Sequence, residues 1–129
     1  MYLIVPDTNF LIYVFKHGIN FDYEIERALN AKFDIVILSP IKKELEDLLK
    51  RDLKGKEKMA IKLALSKIGK YKVVKCEGYG DEAILNFAKN NKNVIVATND
   101  KELKESLLNN NIPVMVVRQK KYFVVFGMV

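Results

Sequence analysis

The chain contains one cysteine, one histidine and no long hydrophobic run, and each shortage excludes a class of protein. The single cysteine, Cys76, cannot form an intrachain disulfide, and no thiolate cluster is available to hold zinc. Apolar runs such as residues 2–6 and 93–97 fall far short of the roughly 20 residues that a membrane helix needs. The N-terminus lacks both a basic leader and a small-residue cleavage site, so we expect a cytoplasmic protein without a membrane span.

The chain is also short of acids relative to bases, since 16 Asp and Glu stand against 22 Lys and Arg and give a formal net charge of +6. This surplus favours polyanionic partners, although charge alone identifies none. Residues 112–129 contain no acid and three bases, Arg118, Lys120 and Lys121. Residues 42–62 contain eight bases and five acids. The alternative for this second stretch is a solvated, lysine-rich helical surface of the kind found in heat-adapted proteins.

Length and composition predict an ordinary globular domain. The chain has 129 residues, half of them apolar and 29% charged, which lies within the usual range for one domain with one core. We therefore expect a single domain that extends over residues 1–129.

Short apolar stretches alternate with stretches of helical periodicity along the chain. The predicted strands are residues 2–5, 33–38, 71–75, 93–97 and 113–117, with an edge strand at 121–126. Helices are predicted at residues 8–16, from a cap at Asn20 or Asp22 to about 31, from the N-cap Ser39 to Leu49, and at 59–68, 81–91 and 100–109. This alternation predicts a three-layer α/β/α fold around a mainly parallel, twisted sheet.

Four carboxylates follow four successive predicted strands. In parallel sheets of this kind, ligands bind beyond the carboxyl ends of the strands. The four are Asp7 at the end of the first strand, Glu44 one turn into the next helix, and the helix-opening residues Asp81 and Asp100. As alternatives, each could be an ordinary helix cap or an acid that favours the positive end of a helix dipole.

Helical spacing gives two of these acids a further reason to face a cleft. Asp81 lies on the same helix face as Ile84 and Ala88, which form an otherwise buried stripe. Glu44 lies three residues after Ile41, at the margin of a second stripe. We therefore expect the Asp81 carboxylate to point along the buried stripe and the Glu44 side chain to lean into a cleft.

Four carboxylates in a partly desolvated pocket would repel one another, so either their pKa values rise or a cation neutralises them. Ligands that are all carboxylates suit Mg²⁺ or Mn²⁺ rather than zinc. Two such ions, about 3.5–4 Å apart, can orient a water and stabilise the attacking and leaving oxygens of a phosphodiester. The sequence therefore predicts a site for two Mg²⁺ or Mn²⁺ ions with the ligands Asp7, Glu44, Asp81 and Asp100.

Several motifs, in this order along the chain, resemble those of PIN-domain nucleases. They are Pro6-Asp7-Thr8-Asn9, then Glu44, then Gly-Asp-Glu-Ala-Ile at 80–84, and Ala-Thr-Asn-Asp-Lys-Glu-Leu at 97–103. The resemblance covers nearly the whole chain. It implies a metal-dependent endoribonuclease that hydrolyses single-stranded RNA, with the four acids as catalytic metal ligands.

The resemblance also implies roles for four neighbouring residues. By position, Asn9 and Thr98 would hold a carboxylate or the phosphate through hydrogen bonds, and their alternative is a turn or cap role. Glu82 and Glu102 adjoin two predicted ligands and could assist or substitute for them. The sequence does not separate a ligand from an adjacent helix-dipole acid.

A basic rim around the acidic centre would attract the RNA phosphates. Two sets of residues are candidates for this rim: Lys42, Lys43, Lys50 and Arg51, and, near the C-terminus, Arg118, Lys120 and Lys121. Tyr122 is predicted to stack on an unpaired base, with burial in a strand as its alternative.

Within the family, residues 97–104, 112–115 and 118–122 are similar to the branch that processes pre-ribosomal RNA. We therefore expect a role in rRNA processing, with pre-rRNA as substrate. The chain has no Cys-rich ribbon, so it departs from the branch that matures the end of the small-subunit RNA. Its size equally fits a toxin ribonuclease of a toxin–antitoxin pair. Candidate protein partners are a second copy in a homodimer, a ribosome-assembly factor and an antitoxin.

Two other functions compete with a ribonuclease. In a non-catalytic RNA-binding or assembly module the acids would serve only as caps, and a complete set of four acids weighs against this. A receiver-like signalling domain needs a phosphoacceptor Asp after its third strand, and residues 71–76 contain none.

Overall fold

The order of helices and strands agrees with the sequence prediction. The computed structural model describes residues 1–128, so Val129, the last residue of the predicted domain, lies outside the described residues. The strands are β1 (Tyr2–Pro6), β2 (Phe33–Leu38), β3 (Lys72–Val74), β4 (Val94–Ala97), β5 (Val114–Arg118) and β6 (Tyr122–Phe126). The helices are α1 (Thr8–Lys16), α2 (Phe21–Leu29), α3 (Ser39–Leu49), α4 (Gly55–Ile68), α5 (Gly80–Asn90) and α6 (Lys101–Asn109).

In the described part of the chain, all strands belong to one six-stranded sheet of order β3-β2-β1-β4-β5-β6. The first five strands in this order are parallel, and β6 pairs antiparallel with β5. Ile4 pairs with Ile35 on one side and with Ile95 on the other, which sets the register at the buried centre. The direction of strand addition reverses between β1 and β4, so a crevice is expected beyond their carboxyl ends.

Helices cover both faces of the sheet. Helices α1 to α4 connect β1 to β3, and α5 and α6 lead back to β4 and on to β5. Crossovers of the usual right hand put these two sets of helices on opposite faces. In agreement, α4 packs against α1 and α3, while α5 contacts β4 and α6 contacts β5. The predicted three-layer α/β/α architecture is confirmed.

The hydrophobic core lies between the sheet and these helices, and the central residues of β1, β2, β4 and β5 are buried. An aromatic cluster extends this core towards the edge strand. Phe10 of α1 lies 6.3 Å from Phe21 of α2 and 5.1 Å from Phe123 of β6, measured between ring centroids. Full burial of a phenylalanine stabilises a fold by about 1.5–3 kcal/mol. This cluster therefore fixes the first turn of α1, which begins at the predicted site.

One predicted helix cap is wrong. Leu38 takes the N-cap position of α3, and no side chain caps this helix. The Ser39 hydroxyl instead accepts a hydrogen bond from the Cys76 N–H at 3.0 Å and donates one to the Cys76 carbonyl at 3.3 Å. The segment that follows β3 passes beside α3, and the two hydrogen bonds of the Ser39 hydroxyl hold it there.

Other differences concern the ends of elements. Asn20 rather than Asp22 caps α2, and α4 extends back to Gly55. Strand β3 has three residues instead of the predicted five, because it pairs only with β2 at the edge of the sheet. None of the helices within residues 1–128 combines the length and apolar character needed to cross a bilayer.

Candidate active site

The carboxyl ends of β1 and β4 lie side by side where the strand order reverses. Pro6 pairs with Ala97, and the Asp7 N–H donates to the Ala97 carbonyl at 3.0 Å, so the residues after the two strands emerge together. Helices α1 and α6 begin here, and their N-termini favour negative charge. Asp7 and Asp100 cap these two helices.

Asp7 is a buried carboxylate with both oxygens hydrogen-bonded, and only 7% of the residue is exposed. Its Oδ1 accepts from the Phe10 N–H at 2.7 Å, and its Oδ2 accepts from the Thr98 hydroxyl at 2.5 Å. Burial raises the pKa of Asp7 to about 6, the two hydrogen bonds oppose this shift, and the charges of Asp81 and Asp100 add to it. The ionised carboxylate therefore has a free-energy cost, which a bound cation would offset.

Thr98 connects the two capping acids. It is fully buried directly after β4, and its N–H donates to the Met115 carbonyl of β5 at 3.0 Å. Its hydroxyl donates to Asp7 and accepts from the Asp100 N–H at 3.1 Å. The Asp100 Oδ1 in turn accepts from the Leu103 N–H at 2.9 Å. Thr98 therefore couples the position of Asp7 to that of Asp100.

A small cleft of about 40 Å³ opens beside Asp7. It is lined by residues from α1, α3 and α5 and their caps: Asp7, Thr8, Asn9, Ile41, Glu44, Gly80 and Asp81. Helix α3 contacts α5, which brings Glu44 next to the first turn of α5. A Cβ on Gly80 would lie 3.8 Å from Glu44 Oε2. We call this the acid cleft.

Three predicted acids, Asp7, Glu44 and Asp81, border the acid cleft, and the fourth, Asp100, is not part of its lining. Asp81 is exposed at the rim of the cleft rather than buried along the α5 stripe. Burial nevertheless raises the pKa of Asp81, and the charges of Asp100 and Glu102 raise it further. The four acids take part in none of the five ion pairs found among residues 1–128. Lysine and arginine therefore do not neutralise this cluster.

The donor groups of the cleft fit a hard divalent cation. As the side chains stand, no three His, Cys, Asp or Glu within residues 1–128 are grouped closely enough to hold a metal ion. However, carboxylates without cationic partners face a polar cleft, and oxygen ligands of this kind suit Mg²⁺ and Mn²⁺. The Thr8 hydroxyl, buried in the same cleft, lacks a hydrogen-bond partner among the described residues. A hydrated cation would neutralise the acids and satisfy this hydroxyl.

The other polar residues predicted for the site lie around the cleft. Asn9 lines it and is exposed, whereas Glu82 and Glu102 lie outside its lining. These two glutamates are exposed in the first turns of α5 and α6. Glu102 is close enough to raise the pKa of Asp81.

A larger groove of about 900 Å³ adjoins the acid cleft. It runs between α3, with its C-terminal extension to residue 51, and residues 73–80, and we call it the side groove. Three predicted RNA contacts line it: Lys42, Lys43 and Arg51. Glu44 and Gly80 border both the groove and the acid cleft. Lys50 lies outside the lining and is 4.0 Å from Asp47.

The second basic set lies on the β5–β6 hairpin, at the carboxyl end of β5. Arg118 pairs with Tyr122 across the hairpin, but both side chains pack elsewhere. The Arg118 guanidinium lies 5.2 Å from the centre of the Phe126 ring, and the Tyr122 ring lies 5.7 Å from the Arg27 guanidinium. The turn exposes two lysines, Lys120 and Lys121.

Two residues at the site were not indicated by sequence reasoning. Thr8 belongs to the Pro-Asp-Thr-Asn motif, but no sequence signal indicates that its hydroxyl is buried without a partner among the described residues. Tyr79 lines the side groove and is 85% exposed. It lies between Gly78 and Gly80, which both have positive φ. An aromatic residue between two turn glycines was the signal available in the sequence.

Comparisons with known proteins agree with this fold and site. Residues 4–120 match the family described as "PIN like domain". The chain is 79% identical to ribonuclease VapC4 of Methanocaldococcus jannaschii over 131 aligned positions, which cover both chains completely. It is 34% identical to ribonuclease VapC9 of Archaeoglobus fulgidus over 117 positions, 91% of this chain and 84% of that relative.

The solved structure of the PIN domain endonuclease Utp24 has the same fold. It superposes with a TM-score of 0.82 at 25% sequence identity and covers 99% of this chain and 93% of that one. Ribonucleases of this family generally use divalent metal ions, in keeping with the donor groups of the acid cleft. The protein therefore belongs to the PIN-domain family and is a ribonuclease.

Proposed function

We propose that this protein is a metal-dependent endoribonuclease that cuts single-stranded RNA as the toxin of a toxin–antitoxin pair. The expectation of a role in rRNA processing has less support. Likeness to VapC4 extends over the whole chain at 79% identity, whereas likeness to Utp24 is at 25% identity. The likeness to VapC4 is the observation that supports the toxin role, and it favours an antitoxin as the protein partner.

The catalytic residues of this proposal are Asp7, Glu44, Asp81 and Asp100, with two Mg²⁺ or Mn²⁺ ions as cofactors. The observation that supports them is their shared position at the carboxyl edge of the sheet. Three border one small cleft, and the Thr98 hydroxyl joins the fourth to Asp7. Their charges have no basic partner among the described residues.

When bound, divalent ions lower the pKa of a coordinated water and stabilise charge on the phosphodiester oxygens. The protein's own part is to orient the ligands before RNA binds. The Phe10 N–H and the Thr98 hydroxyl each hold one oxygen of Asp7. Thr8 and Asn9 line the cleft, and in this proposal the Thr8 hydroxyl and the Asn9 amide hydrogen-bond water or a phosphate oxygen. Glu82 and Glu102 add negative charge near Asp81 without lining the cleft.

The basic residues on either side of the acid cleft hold the RNA backbone in this proposal. Lys42, Lys43 and Arg51 line the side groove. Lys50 lies outside this lining, at the C-terminal end of α3. Lys120 and Lys121 are exposed on the β5–β6 turn. Arg118 would have to leave the Phe126 ring to reach a phosphate.

Controlled expression in host cells tests the toxin role. We expect the wild type to arrest growth and to produce new 5′ ends in a small set of RNAs, and the Asp100→Asn variant to do neither. The antitoxin should copurify with the wild type and relieve the arrest when coexpressed. The proposal would be wrong if expression left growth unaffected and depletion caused unprocessed rRNA precursors to accumulate.

A further inference from the structure

We infer that the side groove seats an unpaired RNA base against the ring of Tyr79, next to the acid cleft. This inference rests on the proposed ribonuclease function and adds to it a base-stacking residue. Tyr79 positions the substrate and takes no part in the chemical step.

The ring of Tyr79 is presented to solvent by its backbone. The residue is 85% exposed and lies between Gly78, with φ +94°, and Gly80, with φ +30°. Both glycines adopt backbone conformations that other residues rarely adopt. An aromatic ring exposed beside a groove gains stacking energy when another flat group covers its face.

The segment that carries Tyr79 is anchored at both of its ends. On one side, the two hydrogen bonds of the Ser39 hydroxyl hold the backbone of Cys76 against α3. On the other, the Tyr79 carbonyl accepts from the Ala83 N–H at 3.0 Å in the first turn of α5. A fixed platform loses little conformational entropy when a base stacks on it.

Basic side chains of the groove are available to bind the phosphates of a nucleic acid strand. Lys42 and Arg51 line the groove, and neither forms an ion pair within residues 1–128. Lys43 also lines it and shares the exposed carboxylate of Asp47 with Lys50 at 3.5 and 4.0 Å. Exposed ion pairs of this kind are weak, so an RNA phosphate can displace the Asp47 carboxylate from these lysines. The other acids of α3 in the lining are Glu46 and Glu44, and Glu44 lies where the groove meets the acid cleft.

The groove continues into the acid cleft, because Glu44 and Gly80 border both. A base stacked on Tyr79 therefore lies in the groove that opens onto the proposed catalytic centre. Bases inside a duplex have both faces covered by neighbouring pairs and cannot stack on a protein ring. Tyr79 thus gives a physical reason for a preference for single-stranded RNA without a preference for one base.

Binding of a single-stranded RNA oligonucleotide tests this inference, measured in the Asp100→Asn background to prevent cleavage. Tyr79→Ala should weaken binding by about 5- to 150-fold, the range that one base–aromatic stack accounts for. Tyr79→Phe should bind within about twofold of its parent, because the ring is retained. Tyr23→Ala is the matched control, since Tyr23 is 59% exposed and lines neither the groove nor the cleft.

A fluorescent base reports the stack itself. The emission of a 2-aminopurine in the oligonucleotide should be quenched on binding to proteins with Tyr79 or Phe at this position, and not with Ala. Equal affinity and equal quenching for Tyr79→Ala would overturn the inference and leave the ribonuclease function untouched. Failure of the wild type to cleave any single-stranded RNA would contradict the proposed function instead. If Tyr79→Ala kept RNA affinity but lost a copurifying protein, the groove would be a protein-docking site and the inference would be wrong.

Discussion

At the scale of single residues, the buried carboxylate of Asp7 lowers the stability of the fold but suits the binding of a cation. Its two hydrogen bonds stabilise the carboxylate, yet burial and two neighbouring acids raise its pKa to about 6. The folded, metal-free protein therefore bears a buried charge that destabilises it. Such a cost is typical of functional sites, where a ligand compensates for it.

Replacing Asp7 by asparagine should separate these two roles. Asn keeps an oxygen that can accept from the Phe10 N–H, but it removes the charge. In a chelator at pH 8, we expect Asp7→Asn to be more stable than the wild type by on the order of 2–3 kcal/mol, because a shift of about two pKa units corresponds to this energy. Urea denaturation measures the difference. A less stable Asn variant would show that the buried charge does not lower the free energy of unfolding.

The same pKa shift predicts how this difference depends on pH. Folded Asp7 binds its proton more tightly than the unfolded residue, whose pKa is near 3.8. Protonation therefore favours the folded state, and the contribution is present in full below pH 3.8 and lost as pH rises through about 6. The stability advantage of Asp7→Asn should disappear between pH 8 and pH 4. A constant advantage over this range, in chelator, would contradict the assignment.

At the scale of helices and strands, a set of hydrogen bonds and an ion pair joins α2 to the edge strand β6. The buried carboxylate of Glu24 accepts from the Phe123 N–H at 3.1 Å and pairs with Arg27 at 3.1 Å. Arg27 in turn donates to the Phe123 carbonyl at 2.9 Å. These contacts cover an edge that would otherwise expose unpaired backbone groups.

Removing this carboxylate should destabilise the fold measurably. Glu24→Ala leaves the Phe123 N–H buried without an acceptor, at an expected cost of about 1–3 kcal/mol. Glu26→Ala is the matched control on the same helix, because Glu26 is exposed, and it should change stability by less than about 0.5 kcal/mol. Denaturant unfolding compares the two. Equal effects would mean that the contacts of Glu24 with Phe123 and Arg27 do not stabilise the packing of α2 on β6.

The elements themselves were largely predictable because their signals are local. Continuous apolar stretches identified the strands, and the caps Asp7, Asn20 and Asp100 act within three residues of their partners. Ser39 was misassigned because its partner, Cys76, is 37 positions away in the sequence. No local pattern indicates such a contact.

The candidate site was predictable in its members but not in its detailed geometry. Position after successive strands indicated Asp7, Asp81 and Asp100, whereas Glu44 depended more on the family resemblance. The hydrogen bond between Asp7 and Thr98 joins residues 91 positions apart, which only the resemblance suggested. The exposed ring of Tyr79 and the unpaired hydroxyl of Thr8 depend on how three helices meet, and periodicity does not indicate that.

At the scale of the whole molecule, a net charge of +6 accompanies a centre that is locally acidic. RNA binding should therefore weaken as salt rises, with a slope of log affinity against log salt of about −0.7 for each phosphate neutralised by a base. Substituting both Lys42 and Arg51 by alanine should make this slope shallower by about 1.4. Lys89→Ala, at the opposite edge of the sheet, is the control. An unchanged slope in the double variant would exclude the side groove as the path of the RNA.

Single-turnover cleavage of a single-stranded RNA oligonucleotide tests whether the carboxyl edge of the sheet forms a metal centre for RNA hydrolysis. The wild type and Glu26→Ala should cleave with Mg²⁺ or Mn²⁺ and not in a chelator. The variants Asp7→Asn, Glu44→Gln, Asp81→Asn and Asp100→Asn should remain folded and lose more than about 100-fold in rate, since even groups that only support metal ligands cost 10- to 100-fold. Cleavage that persists in the chelator, or that is undiminished in folded Asp7→Asn or Asp100→Asn, would contradict a metal centre formed by these acids.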